Sequence, residues 1–270
     1  MKKRILSAVI LLPLLLAILL AAPKLCTAIL FGAMAAIAAY ELLHSAGLAK
    51  NGRMVIYSMI SAFLVSLWSY FGCSHKLALV GILALTAALF GEMLAAHAKI
   101  AFQQAACCLA AGLLLPYLLT SLVRIDVLPS GRHLILIPFV LAMMSDTGAY
   151  FVGRVCGRHK LAPVVSPHKT VEGAVGGVVF AVLGMMIYCL VLQKVFGFRV
   201  FYGWGVLYGV LGALTGMMGD LSFSVIKRQN GIKDYGNLIP GHGGILDRFD
   251  SMMLVGPLTE ALLLLIPVAV

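Results

Sequence analysis

The chain has 270 residues, of which 62% are hydrophobic and 11% are charged, and its formal net charge is +10. An ordinary soluble domain has about a quarter charged residues, so this composition excludes that class and indicates an integral membrane protein. The basic excess is typical of loops that face anionic lipids and substrates, and we do not expect nucleic-acid binding. The six cysteines are scattered without a C-x-x-C pair, so we expect neither a disulfide nor a zinc site.

Nine apolar segments predict an all-α integral membrane protein, a polytopic bundle of about nine transmembrane helices. Each run is near the length that crosses a bilayer and lacks the alternation of barrel strands. The first segment follows Met1-Lys2-Lys3-Arg4 and is longer than the core of a usual signal peptide, so we expect a retained helix. The predicted segments are residues 5–23, 25–43, 54–72, 77–95, 103–123, 133–153, 172–193, 202–222 and 251–269.

The basic residues predict the orientation of these segments. With a cytoplasmic N-terminus, about 14 of the 20 lysines and arginines face the cytoplasm, as the positive-inside rule expects. The polar stretches 154–171 and 223–250 then become cytoplasmic loops, on the side where nucleotides are found. We therefore predict an N-terminal transmembrane region, residues 1–130 with about five spans, and a C-terminal catalytic region, residues 131–270.

Glu41, Glu92 and Asp146 are carboxylates within the apolar segments. Glu41 and Glu92 lie near segment ends, where we expect them at the membrane interface. Asp146 lies inside a segment, and a carboxylate at membrane depth is costly unless it is paired or hydrated, so it is a functional candidate by default. The alternative is a helix-packing role in which a neighbouring serine or lysine satisfies Asp146.

The stretch 158–173 predicts a stiff, non-helical loop, because its prolines disfavour a helix. Lys169 and Thr170 then lead into the next apolar segment. The free N–H groups at a helix N-terminus bind phosphate well, and a lysine adds a positive charge, so both residues are candidate phosphate ligands. The alternative is an ordinary basic loop with a threonine cap, and Glu172 fits a capping role equally well.

The densest polar stretch runs from Asp220 to Asp250. If the preceding helix continues, Asp220, Ser224 and Lys227 share one face at a spacing of i, i+4 and i+7.

A glycine cluster follows in the same stretch. Gly243 and Gly244 allow a close backbone approach to a ligand and can form a nest of N–H groups. His242 beside them either contacts phosphate, transfers a proton or only braces the loop.

The carboxylates of this stretch predict a magnesium site, because Mg²⁺ prefers a few carboxylates together with phosphate oxygens. Asp220 and Asp247 are the predicted ligands. Asp250 and Asp146 are candidates for a third ligand or for a group that supports the ligands. Capping of the last helix is the alternative for Asp247 and Asp250, but capping alone does not explain the run D-R-F-D directly after G-H-G-G-I-L.

These residues resemble the signature of the phosphatidate cytidylyltransferase family, also called the CDP-diacylglycerol synthases. The upstream stretches D-T-G-A-Y-F-V-G-R and S-P-H-K-T-V-E-G are similar to that family as well, whereas the N-terminal half matches it only in hydropathy. The signature is matched in full at Ser224, Lys227, Arg228, Lys233, Asp234, Gly236, Ile239, Pro240, His242, Gly243, Gly244, Asp247, Arg248 and Asp250.

The resemblance implies that CTP and phosphatidate react to give CDP-diacylglycerol and pyrophosphate, with Mg²⁺ and, in a two-metal site, a second cation. It implies a location in the bilayer, which we expect to be a bacterial inner membrane, and a homodimer is compatible with it. The implied catalytic residues are Ser224, Lys227, Arg228, Lys233, His242, Arg248 and Asp250. The implied phosphate ligands are Lys169, Thr170, Lys227, Arg228, Lys233, Gly243, Gly244 and Arg248.

Two other functions compete with this interpretation. A CTP-dependent kinase of a lipid alcohol would share the nucleotide and the basic loops, but the complete signature disfavours it. A transporter could use Asp146 and Asp220 as intramembrane ion sites. Transporters usually show repeats and broken helices in both halves, whereas here the polar features crowd into the second half.

Overall fold

The computed structural model describes residues 2–96, 99–238 and 243–270, except for the side chains of residues 2–10 and 12. Each of the nine predicted segments coincides with helix. The helices are α1 (Lys2–Ala21), α2 (Lys24–Tyr40), α3 (Gly52–Phe71), α4 (His75–Ala95), α5 (Phe102–Leu109), α6 (Leu115–Leu119), α7 (Ser121–Val127), α8 (Gly131–Leu134), α9 (Leu136–Cys156), α10 (Val171–Lys194), α11 (Tyr202–Gln229), α12 (Leu246–Phe249) and α13 (Met252–Leu265).

The predicted class, an all-α polytopic membrane protein, is confirmed. Among the described residues, seven helical stretches are long and apolar enough to cross a membrane, and α13 is a shorter apolar helix. Two of the seven include a π-helical turn, at Glu41–Ser45 after α2 and at Ala110–Leu114 after α5. In hydrocarbon every backbone N–H and C=O must be bonded within the protein, and a helix meets this requirement by itself.

Two helix ends differ from the prediction. Helix α11 continues to Gln229, so residues 223–229 are helical and the predicted loop 223–250 starts later than expected. Helix α13 ends at Leu265 because the C-terminal residues pair in an extended conformation with the segment before α11. Arg199 and Val270 exchange two backbone hydrogen bonds of 3.0 Å.

The predicted stiff loop between α9 and α10 is a short antiparallel hairpin. Strand β1 (Lys160–Ala162) pairs with strand β2 (Ser166–Thr170). The backbone hydrogen bonds of the two strands satisfy polar groups that a proline-containing segment cannot satisfy as a helix.

The first of two compact units comprises Met1–Pro129 and Gln229–Phe249. Helices α2 and α3 pack closely in it, and the Ser66 hydroxyl donates a 2.7 Å hydrogen bond to the carbonyl of Ala28. A small or hydroxyl-bearing residue at such a contact lets two helices approach closely and form a hydrogen bond with each other.

The second unit comprises Ser130–Arg228 and Asp250–Val270. Its centre is the contact between α9 and α10, which glycines make possible. A Cβ at Gly148 would lie 2.4 Å from Cβ of Phe180, and a Cβ at Gly176 would lie 2.5 Å from Cβ of Val152. The two helices therefore approach more closely than any larger side chain allows, and this contact fixes the hairpin that enters α10.

Candidate functional site

A column of polar side chains runs along α11 in the second unit. Because the helix continues to Gln229, Asp220, Ser224 and Lys227 share one face. The Ser224 hydroxyl donates to Oδ1 of Asp220 at 3.3 Å. Ser224 and Lys227 are each only 9% exposed. The C-terminal end of this helix thus holds a carboxylate, a hydroxyl and an ammonium group in one row.

The hairpin contributes a second ammonium group to this column. Nζ of Lys169, on β2, donates a short, charge-assisted hydrogen bond to Oδ2 of Asp220, and both side chains are partly buried. The guanidinium Nε of Arg228 donates to the carbonyl of Val165 at 3.4 Å, at the turn of the hairpin. The hairpin and the end of α11 are therefore connected through two basic side chains that the sequence proposes as phosphate ligands.

Thr170 and Glu172 organise the start of α10. The Thr170 hydroxyl oxygen accepts the N–H of Gly173 at 3.1 Å and so caps the helix. The Glu172 carboxylate accepts the backbone N–H of Arg158 at 3.0 Å and approaches the ring nitrogen Nδ1 of His159 at 2.6 Å. The capping interpretation is thus present in the structure, while a contact between Thr170 and phosphate stays a prediction.

Asp250 lies in the turn before α13 and is 9% exposed. Burial, and then the neighbouring Asp220 carboxylate, raise the pKa of Asp250 to about 6, and Asp146 on α9 acts in the same direction. The N–H of Ser251 donates to Oδ1 of Asp250 at 2.8 Å. Asp250 is therefore a buried carboxylate that feels the negative charge of two other carboxylates of the second unit.

Gly219 allows Asp250 to lie close to α11. A Cβ at position 219 would lie 2.7 Å from the carbonyl oxygen of Asp250. Only a glycine lets the turn before α13 lie against α11 at this point.

A second polar group lies in the loop before α12, in the first unit. Oδ2 of Asp247 accepts the N–H of Tyr235 at 2.8 Å and the N–H of Gly244 at 3.0 Å. Gly243 has φ of +84°, a left-handed conformation that favours glycine. Asp247 thus bonds two residues that precede it, Tyr235 and Gly244, and the Gly244 N–H that we proposed for a phosphate nest donates to this carboxylate.

The remaining predicted residues have simpler surroundings. Lys233 and Arg248 are exposed, and their roles as phosphate ligands stay predictions. His242 lies outside the described residues.

The predicted metal pair is not a cluster of the usual kind. Asp220 and Asp247 belong to different units. Within residues 2–96, 99–238 and 243–270, no group of three or more His, Cys, Asp or Glu side chains is arranged to hold a metal ion. The metal roles of both residues stay predictions.

The sequence interpretation missed Glu41. We expected it at the membrane interface, but this side chain is only 3% exposed. Its carboxylate accepts the backbone N–H groups of Ile245 at 3.0 Å and Leu246 at 2.8 Å. The sequence did contain a signal for a buried role, because Glu41 is a carboxylate within an apolar segment, as Asp146 is.

The fold defines a mainly helical membrane protein, with buried ionisable groups along α11 in the second unit and at α12 in the first. The chain also matches the model of the cytidylyltransferase family from residue 2 to residue 266. It therefore belongs to the cytidylyltransferase family, an enzyme family, and the resemblance found in the sequence is confirmed.

Individual relatives agree with this assignment. The chain is 35% identical to the phosphatidate cytidylyltransferase of Staphylococcus haemolyticus over 268 residues, which cover 98% of this chain and 99% of the relative. It is 46% identical to that of Staphylococcus saprophyticus over 134 residues, and this match spans 50% of each protein. A match with the Staphylococcus aureus protein (strain COL) likewise spans 50% of each chain, at 44% identity.

Proposed function

We propose that this protein transfers CMP from CTP to phosphatidate and so forms CDP-diacylglycerol and pyrophosphate. The observation that carries the proposal is the match over nearly the whole chain to a relative named phosphatidate cytidylyltransferase. The polar column of Asp220, Ser224 and Lys227 supports it, because a carboxylate, a hydroxyl and an ammonium group in a helix that is apolar enough to cross a membrane suit a reaction between a lipid phosphate and a nucleotide.

The chemistry needs little from the protein beyond position and charge. An oxygen of the phosphatidate phosphate attacks the α-phosphorus of CTP in line. A new P–O bond forms, and the bond from the α-phosphorus to the bridging oxygen of pyrophosphate breaks. The attacking phosphate is already ionised, so no strong base is required, and catalysis consists mainly of orientation and charge neutralisation.

Basic side chains supply that neutralisation in this proposal. Lys169, Lys227 and Arg228 belong to the second unit, and Lys233 and Arg248 belong to the first. We assign the phosphates of CTP and phosphatidate to these five residues, with a hydrogen bond from Ser224. Lys169 donates to Asp220 in the structure, and an incoming phosphate would compete for the same ammonium group.

We propose that carboxylates of this protein bind Mg²⁺, which prefers such oxygens together with substrate phosphates. Burial and the neighbouring Asp220 carboxylate raise the pKa of Asp250, and Asp220 already pairs with the ammonium group of Lys169. We propose Asp220 and Asp247 as ligands, Asp250 as a third ligand and Asp146 as a supporting group, with or without a second cation. When bound, the metal would supply positive charge to the triphosphate.

The site would have to be open both to the cytoplasm and to the lipid bilayer. We propose that it faces the cytoplasm of a bacterial inner membrane, where CTP is found, and that the acyl chains of phosphatidate enter sideways from the bilayer. The basic residues near the site agree with the positive-inside rule under this orientation.

Transfer of radiolabel tests the proposal. Purified protein in detergent would receive phosphatidate, Mg²⁺ and CTP labelled with ³²P at either the α- or the γ-phosphate. We expect α-label, and not γ-label, in chloroform-extractable lipid. Entry of γ-label into a lipid alcohol would identify a kinase instead, and transfer of neither label would contradict both assignments.

A further inference from the structure

Glu41 is a buried carboxylate that contacts the backbone at the start of α12. It comes from the π-helical turn at the end of α2, a feature that often occurs at functional sites. Its two oxygens accept the N–H groups of Ile245 and Leu246. These N–H groups lie at the start of α12, where an acceptor within the helix is lacking. Glu41 therefore supplies the acceptors that the first turn of α12 needs.

Two glycines of the loop lie directly against this carboxylate. A Cβ at Gly236 would lie 2.6 Å from Oε1 of Glu41, and a Cβ at Gly244 would lie 2.4 Å from it. Real Cβ atoms essentially never approach another atom this closely. The backbone at Gly236 and at Gly244 thus lies directly against the carboxylate, and its position at these two residues depends on where Glu41 is held.

Two residues of α12, Phe249 and Asp247, make further contacts that hold this segment in place. Phe249 packs edge to face on Phe31 of α2, with ring centroids 6.3 Å apart. Asp247 accepts the N–H groups of Tyr235 and Gly244. Together, Glu41 and Asp247 accept hydrogen bonds from four backbone N–H groups. Glu41, directly after α2, contacts the start of α12, and Phe31 of α2 contacts its end.

We infer that Glu41 is a positioning residue for cytidylyl transfer: it holds residues 243–249 so that Asp247 and Arg248 are presented to the substrates. This inference rests on the proposed function. It differs from a role in stability alone, because it requires that the folded protein without this carboxylate reacts more slowly.

The test compares Glu41→Ala and Glu41→Gln with Glu92→Gln as the matched control. Glu92 is a carboxylate of the same unit whose oxygens accept from Asn51 and Tyr57 and pair with Arg53, all of them in or next to α3. Steady-state transfer of α-label would be measured well below the melting temperature of each variant. We expect Glu41→Ala to lower kcat/KM by about 10- to 100-fold, as when partners of site ligands are lost. Glu41→Gln, which keeps one acceptor oxygen, should fall between Glu41→Ala and the wild type, and Glu92→Gln should match the wild type.

A double variant tests the contact itself. Gly244→Ala alone should impair transfer, because its Cβ meets the Glu41 carboxylate. In the Glu41→Ala background the same substitution should cost little more, since the carboxylate is gone. Losses that simply multiply would overturn the inference, as would a Glu41→Ala variant with a lowered melting temperature and wild-type kcat/KM.

Hydrogen exchange separates this inference from the proposed function. In full-length protein in micelles, the amides of residues 243–249 should exchange faster in Glu41→Ala than in the wild type and in Glu92→Gln. If the wild type transfers no label, the proposed function fails, and exchange alone decides the positioning. Unchanged exchange in this segment would overturn the inference whatever the activity.

Discussion

Replacing Gly176 with alanine tests the contact between α9 and α10 that holds the hairpin of the site. The new Cβ would lie 2.5 Å from both Cβ and Cγ2 of Val152. Carbon atoms in contact lie about 3.5–4.0 Å apart, so the methyl group needs about 1–1.5 Å more than the structure provides. Val152 is β-branched and has little rotamer freedom on a helix. The helices themselves must therefore move apart.

The size of the effect follows from this shortfall. Overpacking of this kind costs about 1–3 kcal/mol. For a chain of this size each kcal/mol corresponds to about 2–4 °C, so the melting temperature in detergent should fall by roughly 2–12 °C. Transfer of α-label should fall too, because β2, which carries Lys169, leads directly into α10.

Gly81 provides the matched control. It also lies within an apolar helix, but a Cβ there would meet nothing within 4 Å. Thermal unfolding, followed by tryptophan fluorescence or by the loss of the monodisperse peak on size exclusion, would compare Gly81→Ala with Gly176→Ala. Equal melting temperatures for these two variants and the wild type would refute the close packing of α9 and α10.

Two further predictions concern the hairpin. Lys169→Met should lower kcat/KM for CTP by about 10- to 100-fold, because it removes a positive charge at Asp220, whereas Lys160→Met on the exposed strand β1 should not. Equal kinetics for the two variants would contradict the role of Lys169. Glu172→Gln should make the hairpin more sensitive to limited proteolysis, since it weakens the contacts with the backbone and ring of His159; unchanged cleavage would contradict this.

The helices could be predicted because their signal is local. Apolar runs near the bilayer thickness determine both the class and the approximate bounds. The row from Asp220 to Lys227 followed from helical periodicity in the same way, once the helix was assumed to continue. The largest error at a helix end, in α11, arose because charged residues were taken to end a segment, although Lys227 is buried in the helix.

The contacts of Glu41 with the start of α12 could not be predicted in this way. Glu41 bonds residues 204 and 205 positions away, and no periodic pattern relates positions that far apart. The same holds for Lys169 and Asp220, which are 51 positions apart. The sequence indicated which residue types could meet phosphate and metal, but the pairing of those residues depends on how the helices pack.

The most direct test of the account is metal-dependent transfer of α-label from CTP to phosphatidate by the wild type, Asp220→Ala, Asp247→Ala and Glu92→Gln. We predict labelled lipid with the wild type and Glu92→Gln in Mg²⁺. EDTA should abolish it, added Mg²⁺ should restore it, and neither aspartate variant should produce it. Labelled lipid that persists in both aspartate variants would keep the reaction but contradict the site, and labelled lipid that persists in EDTA would contradict the metal.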